Sequence, residues 1–131
     1  MKVVILNSFS LSIFSRQEGR EFDGDSYIAY HLRAAATAVM QFIPITTAAV
    51  KDIIGIADEV ENFIGHADTA SMVGTDLGLS LIPNRDKYTF SPSDNLIVAQ
   101  YTGPRLPEGC QVLPDGSTLS YWLVVSDYHR D

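Results

Sequence analysis

Two apolar runs in the C-terminal half of the chain determine the predicted fold. Leu96 to Tyr101 reads Leu-Ile-Val-Ala-Gln-Tyr, and Thr118 to Val125 reads Thr-Leu-Ser-Tyr-Trp-Leu-Val-Val. β-Branched and aromatic residues favour extended structure. The clusters Gly103-Pro104 and Pro114-Asp115-Gly116 between them are typical of turns. Both runs are therefore predicted to be strands.

Three further segments outside these runs also favour strands. Lys2–Leu6 is a compact β-branched run that predicts a buried strand, and Tyr88–Phe90 carries a shorter strand signal. Residues 27–45 are mostly apolar, and their periodicity does not separate helix from strand. For the end of that segment, Val39–Ile45, we expect a strand because β-branched and aromatic residues dominate it.

Two helices are predicted between the N-terminal and C-terminal strands. Thr46 or Thr47 is expected to cap a helix that starts at Ala48 and keeps helical apolar spacing as far as Val60. Asp68 or Thr69 is expected to cap a second helix that ends at Gly78. With no repeat, low-complexity tract or linker, residues 1–131 are predicted to form a single α+β domain.

Composition and charge exclude several classes of protein. The chain has 131 residues, of which 46% are hydrophobic, and this composition excludes wholesale disorder. Its net charge of −7 repels long nucleic acid, so we expect no DNA partner. No apolar run approaches the ~20 residues of a membrane span. One cysteine, Cys110, and three histidines cannot make a closed zinc site. We therefore expect a soluble intracellular protein without a metal or cofactor.

His66 is the first candidate for chemistry. Gly65 before it allows close approach of a ligand, and the predicted helix after it offers free N–H donors. The alternative is a histidine that caps the helix or packs in the interior. His31 and His129 have no comparable setting.

Two arginines are the remaining candidates. Arg85 follows Pro83-Asn84, where a strand is predicted to begin, and Arg105 lies in a loop stiffened by two prolines and two glycines. A stiff loop limits the side-chain entropy that an arginine loses when it binds phosphate. The alternative for Arg105 is a surface ion pair with Glu108, which is worth at most about 1 kcal/mol.

Four short motifs in this order resemble a known family. They are Leu6-Asn7-Ser8-Phe9-Ser10, Ile64-Gly65-His66-Ala67-Asp68-Thr69-Ala70, Pro83-Asn84-Arg85 and Arg105-Leu106-Pro107-Glu108-Gly109. The family is that of the small viral ring nucleases, anti-CRISPR proteins of archaeal viruses and phages. The resemblance implies a mixed sheet of about five strands with flanking helices, assembled as a two-fold homodimer in the cytoplasm of the host cell.

The resemblance also implies a function. Family members bind cyclic tetra-adenylate, the messenger of type III CRISPR systems, and cut it without metal, which antagonises that immunity. By motif, His66 matches the catalytic histidine, and Arg105 and Glu108 match functional residues of the loop. Arg85 matches a ligand-side arginine. The positions where the family places polar ligand contacts are Asn7, Ser10, Thr69 and Gln100.

The implied chemistry suits a chain with few reactive groups. In RNA the 2′-hydroxyl lies beside its own phosphodiester, so the substrate supplies the nucleophile. Arg105 would stabilise the charge that develops on the phosphate, and protonated His66 would protonate the leaving 5′-oxygen. Glu108 would orient Arg105 or the hydroxyl, or support the protonated histidine. The expected products are linear adenylates with a 2′,3′-cyclic phosphate.

Residues about 11–38 are longer and more apolar than the corresponding segment of the family. A lid, an altered dimer surface or a partner site are the alternatives for them. Two other functions stay open: a sponge that binds the cyclic nucleotide without cutting it, and an acidic protein that inhibits a host factor through residues 11–45.

Overall fold

The computed structural model describes residues 1–10, 13, 40–91, 93–106, 109 and 113–126, which form a mixed sheet with two helices. The strands are β1 (Lys2–Leu6), β2 (Met40–Ile45), β3 (Glu59–Asn62), β4 (Asp94–Thr102) and β5 (Thr118–Ser126), and the helices are α1 (Thr47–Ile56) and α2 (Ala67–Leu77). The predicted α+β class with about five strands is confirmed. So are the predicted strands at Lys2–Leu6, at the end of the 27–45 segment, and at both C-terminal runs.

The sheet has the strand order β2-β5-β4-β1-β3. Strand β1 is parallel to both of its neighbours, with Lys2 opposite Glu59 of β3 and Asp94 of β4. Strand β5 is antiparallel to β4 and to β2. The carboxyl ends of β1, β3 and β4 therefore meet at one edge of the sheet, where ligands of such sheets commonly bind. We call it the carboxyl edge.

Both helices pack on one face of the sheet, which we call the helix face. Its core consists of buried residues from the sheet, from both helices and from the connection between β3 and α2: Val3, Ile5, Val50, Ile64, Ala70, Val73, Leu77, Ile97, Ala99 and Tyr121. Helix α1 begins as predicted at a threonine cap, because the Thr46 hydroxyl accepts a hydrogen bond from the Ala49 N–H at 3.1 Å. Gly78 ends α2, as predicted, in the left-handed conformation.

A polar network ties the helices to the sheet on this face. Asp76 of α2 accepts hydrogen bonds from the Tyr121 hydroxyl at 2.6 Å and from the Thr47 hydroxyl at 3.3 Å. Burial, and then the hydrogen bond to Asp76, raise the pKa of Tyr121 well above its ordinary value. The network links α1, α2 and β5 at one point.

The opposite face, which we call the back face, is covered largely by aromatic side chains. Its buried core is Val4, Leu6, Ile13, Tyr88, Leu96, Val98 and Val124. Phe9, Phe63, Phe90 and Trp122 pack against this core. Within the described parts of the chain, no helix is long and apolar enough to cross a membrane.

The end of α1 differs from the prediction. The helix stops at Ile56, and Val60 lies in strand β3 instead of on the helix. Asp58 explains the change, because its N–H donates to the Met1 carbonyl at 2.9 Å and its carboxylate binds the N-terminal amine. This contact with the start of β1 directs the chain into the sheet.

Two other predictions were wrong. His66, not Asp68 or Thr69, is the N-cap residue of α2. Tyr88–Phe90 forms no strand, because these aromatic residues cover the back face instead of joining the ladder. Most of the long segment at about 11–38, and residues 27–39 of the apolar segment, lie outside the described residues.

Candidate active site

Two asparagines fix the connection between β3 and α2 against residues 82–86. The Asn62 side chain accepts from the Ile64 N–H and donates to the Ile82 carbonyl, both at 3.1 Å. The Asn84 side chain donates to the Asn62 carbonyl at 3.0 Å, and the Asn84 N–H donates to the Ile64 carbonyl at 2.9 Å. These bonds hold two distant segments side by side at the carboxyl edge.

His66 lies at the end of this connection, as the N-cap residue of α2. Its backbone is extended, with φ −93° and ψ 125°, and its side chain is exposed and makes no capping hydrogen bond. The first N–H groups of a helix have no partner within the helix. The exposed imidazole therefore belongs to the residue that precedes these donors in the chain.

Arg85 lies directly beside Gly65, the residue before His66. Its Nε donates to the Gly65 carbonyl at 3.2 Å, and its side chain is exposed. A Cβ on Gly65 would lie 3.2 Å from Cγ of Arg85, so a glycine at this position allows the close approach. In the described part of the chain the guanidinium forms no salt bridge. Its terminal nitrogens point to no carboxylate there and are available to an anion.

The loop that carries Arg105 is held at three points. The Tyr101 hydroxyl donates to the Pro104 carbonyl, and Gly103 lies so close to Ser117 that a Cβ would collide with it. At its far end the Gly109 N–H donates to Oδ1 of Asp68 at 3.0 Å. Since Asp68 is in the first turn of α2, this bond ties the loop to the helix that follows His66. Arg105 itself is exposed.

Asn7 and Gln100 both line a cavity on the back face, at the carboxyl edge. Its volume is about 360 Å³. The other side chains that line it include Phe9, Phe42, Val98 and Trp122. The two amides are exposed, and neither has a hydrogen-bond partner for its side chain among the described residues.

The structure places seven of the eight predicted site residues. His66 and Arg85 lie at the start of α2, where Gly109 from the far end of the Arg105 loop is bonded, and Thr69 is half-buried in the first turn of that helix. Arg105 follows β4 at the same edge of the sheet. Ser10 follows β1, and its carbonyl accepts from the Ile13 N–H at 3.2 Å. Glu108 lies outside the described residues.

Some residues that shape the site were not identified as site residues from the sequence. Asp68 was predicted as a helix cap, but its carboxylate binds the loop backbone instead. Asn62 gave no signal beyond the preference of asparagine for turns, and Asn84 stands in a quoted motif but was given no role. Phe42 and Trp122 were predicted only as strand residues. Across the described segments, no group of three or more His, Cys, Asp or Glu side chains is placed to hold a metal ion.

Comparisons with known proteins give a family and a structural relative. A sequence profile of a family described as STIV B116-like matches residues 3–115. The structure is similar to that of B116 of Sulfolobus turreted icosahedral virus, with a TM-score of 0.63 and 22% sequence identity. That match covers 95% of this chain and 99% of the viral protein. Comparison with curated protein sequences gave no match.

Proposed function

Because the chain belongs to the STIV B116-like family, and because its motifs resemble those of the ring nucleases, we propose that it is a metal-independent ring nuclease. In this proposal it cleaves cyclic tetra-adenylate and so antagonises type III CRISPR immunity. One observation carries the proposal. An exposed histidine begins α2, with Arg85 bonded to the preceding residue and the Arg105 loop bonded to the first turn.

Protonated His66 is the general acid of the proposed reaction. The substrate's 2′-hydroxyl attacks the adjacent phosphorus and loses its proton to water, the bond to the 5′-oxygen breaks, and His66 gives that oxygen its own proton. General acid catalysis of this kind contributes typically ~10²–10⁴-fold. The product is a linear adenylate with a 2′,3′-cyclic phosphate. A helix N-terminus disfavours a cation, and the substrate's phosphates offset this effect by bringing negative charge to the same place.

The two arginines have separate tasks in the proposal. Arg85 is held through Nε, so its terminal nitrogens are free to bind a phosphate that is not being cut. Arg105 stabilises the charge on the reacting phosphate, and Glu108 orients Arg105 or the 2′-hydroxyl. The anchored loop limits the motion of Arg105 before the substrate binds, which lowers the entropy lost on binding.

An acidic protein can bind this anionic ring through local contacts. The net charge is −7, but charges further away than about 8–10 Å are screened at physiological ionic strength. In a two-fold dimer, two copies of His66, Arg85 and Arg105 would surround one ring whose halves match the symmetry. Sedimentation should then show one cyclic tetra-adenylate bound per two chains.

Incubation with radiolabelled cyclic tetra-adenylate in EDTA tests the proposal. We expect cleavage by the native protein, and binding without cleavage by His66→Ala. Retention without cleavage by the native protein would instead favour the sponge. If the ring is neither bound nor cut, the acidic interaction protein is favoured and the nuclease is rejected.

A pair of charge-matched variants tests the role of Arg85. Arg85→Ala should weaken binding of the ring about tenfold, the loss expected for a charged hydrogen bond. Lys87→Ala removes the same charge from an exposed side chain two residues away and should leave affinity nearly unchanged. Equal losses in both variants would mean that Arg85 acts only through its general charge.

A further inference from the structure

Strand β3 lies at one end of the sheet, and only one of its two sides is paired. Among the described strands it pairs with β1 alone. The Phe63 N–H, which directly follows the strand, donates to the Ile5 carbonyl of β1 at 2.9 Å. Because successive residues of a strand point their backbone groups to alternate sides, those of Val60 and Asn62 point away from β1. An unpaired side of this kind is a template for a further strand.

Only the end of this outer side is covered by another segment. The Asn84 side chain donates to the Asn62 carbonyl at 3.0 Å, and the Asn62 side chain donates to the Ile82 carbonyl at 3.1 Å. The N–H and carbonyl of Val60 and the N–H of Asn62 have no hydrogen-bond partner among the described residues. These groups suit the backbone of a short extended peptide, because strands pair through such donors and acceptors.

The side chains around these groups differ between the two faces of the sheet. The register with β1 places Val60 on the helix face, where it is 36% exposed. Ile82, which the Asn62 side chain holds beside the strand, is 78% exposed. Glu59 and Glu61 point to the back face, because side chains alternate along a strand. We call this set the β3 surface: Glu59, Val60, Glu61, Asn62 and Ile82.

Negative charge is in excess on the back-face half of the β3 surface. Lys2 lies opposite Glu59 and Asp94 in the register. Its amine contacts Glu61 at 2.9 Å, so one lysine lies among three carboxylates. Glu59 is exposed and forms no ion pair within the described part of the chain. A cationic side chain from a partner would compensate this charge, whereas the apolar half of the surface favours an aliphatic side chain.

These charges also select against a second copy of the same strand. Antiparallel pairing of two copies around Val60 would place Glu59 of one copy opposite Glu61 of the other. A shift by one register step would place Glu61 opposite itself. Like charges directly opposite each other destabilise a pair of strands. A strand that carries Lys or Arg at these positions avoids the repulsion.

We propose that the β3 surface binds an extended segment of a protein partner in which basic and apolar residues alternate. The segment lies antiparallel to β3 and adds a strand to the sheet. Its basic side chains face Glu59 and Glu61. Its apolar side chains lie beside Val60 and Ile82. This interaction goes beyond the proposed function, because it requires neither His66 nor a nucleotide.

Equilibrium dialysis of the full chain against radiolabelled hexapeptides tests the proposal at physiological ionic strength. The probe is Lys-Val-Lys-Val-Lys-Val, and the control is an isomer of the same charge, Lys-Lys-Lys-Val-Val-Val. We expect saturable binding of the probe and about tenfold weaker binding of the isomer, which cannot place its charges on one face. Equal binding of both peptides would overturn the proposal, since charge alone would then explain it. Absence of binding by the probe would overturn it as well.

Methylation of the peptide nitrogens tests whether the probe adds a strand. In the proposed pairing the valines lie opposite Val60 and Asn62, so their N–H groups face β3 and those of the lysines face solvent. Methylating every valine nitrogen should therefore weaken binding about tenfold, whereas methylating every lysine backbone nitrogen should change it little. Equal effects of the two modifications would contradict the added strand.

Two charge reversals locate the site on the protein. Glu59→Lys should weaken binding of the probe about tenfold, because an attraction becomes a repulsion. Asp52→Lys makes the same change of charge at an exposed position on α1 and should leave affinity nearly unchanged. Equal losses in both variants would overturn the β3 surface as the binding site. If sedimentation shows that the probe splits a dimer into monomers, a second copy occupies this surface and the proposal fails.

Discussion

At the scale of single residues, the close approach of Arg85 to Gly65 determines where the guanidinium lies. The Arg85 side chain packs against Gly65, and a Cβ added to this glycine would lie 3.2 Å from Cγ of Arg85. The Arg85 Nε donates to the Gly65 carbonyl. An alanine at position 65 would require the Arg85 side chain to shift by a few tenths of an ångström. The position of the guanidinium therefore depends on the absence of a side chain on its neighbour.

Gly65→Ala should weaken binding of cyclic tetra-adenylate about tenfold, since the shifted Arg85 loses a charged contact with the ring. The matched control is Gly55→Ala in α1, where an added Cβ meets nothing within 4 Å. That variant should stabilise the fold by roughly 0.5–1 kcal/mol and leave affinity unchanged. Filter binding and thermal denaturation measure the two effects. Unchanged affinity in Gly65→Ala would contradict the claim that Gly65 fixes the position of Arg85 for binding the ring.

At the scale of elements, one side chain joins the Arg105 loop to α2. Asp68 accepts the Gly109 N–H at 3.0 Å, and Gly109 adopts a left-handed conformation with φ 75°. Asp68 touches neither of the proposed reacting groups in this arrangement. In the proposed mechanism it is a positioning residue for Arg105.

Asp68→Ala should lower kcat/KM about 10²-fold, because a misplacement of about 1 Å has a cost of this size in well-organised sites. Asp68→Asn keeps an oxygen acceptor and should restore most of the activity, which a purely electrostatic role would not allow. Asp52→Ala removes the same charge from an exposed position on α1 and serves as the control. If the Asn and Ala variants are equally impaired, the loop anchor is not the reason for the loss.

The raised pKa values of two buried tyrosines predict how the stability of the fold changes at alkaline pH. Burial raises the pKa of Tyr121 and of Tyr88 above the ordinary value near 10, and hydrogen bonds to Asp76 and Asp94 add to the effect. The folded protein therefore binds these phenolic protons more tightly than the unfolded chain does. This stabilisation is fully present below about pH 10 and is lost as the pH rises through the raised values.

Tyr121→Phe should lower the free energy of unfolding by about 1–2 kcal/mol at neutral pH, because Asp76 loses a partner. Above pH 10 its stability should fall less steeply than that of the native protein, since one raised pKa has been removed. Denaturant titrations at a series of pH values measure both effects. An equally steep fall in the two proteins would contradict the assignment.

The strands and helices also show how much of the fold could be predicted from the sequence. Strands with strong β-branched patterns and helix ends with Thr46 and Gly78 were predicted because local chemistry decides them. Strand β3 was missed because Glu-Val-Glu-Asn carries no strand pattern and joins the sheet at its edge, beside β1. The strand signal at Tyr88–Phe90 failed because β propensity measures fit to a half-buried surface, which a covering segment also provides.

At the scale of the whole molecule, the topology gathers the site from distant parts of the chain. Parallel pairing of β1 with β3 and β4 brings Asn7, His66 and Arg105 to one edge. The motifs identified these three positions by resemblance, although spacing alone did not show that they lie at one edge. Two features could not be predicted from local sequence: the bond from Asp68 to the loop, and the aromatic cavity. Both depend on contacts between segments that are far apart in the chain.

The central claim is that His66 donates a proton to the departing 5′-oxygen. The most direct test is single-turnover cleavage of a cyclic tetra-adenylate in which sulfur replaces one bridging 5′-oxygen, compared with the normal ring. A thiolate leaves without being protonated, because thiols are far more acidic than alcohols. On the normal ring His66→Ala should be ~10²–10⁴-fold slower than the native protein. On the sulfur-substituted bond the two proteins should cleave at similar rates. A defect of undiminished size on that bond would contradict the role of His66 as the acid.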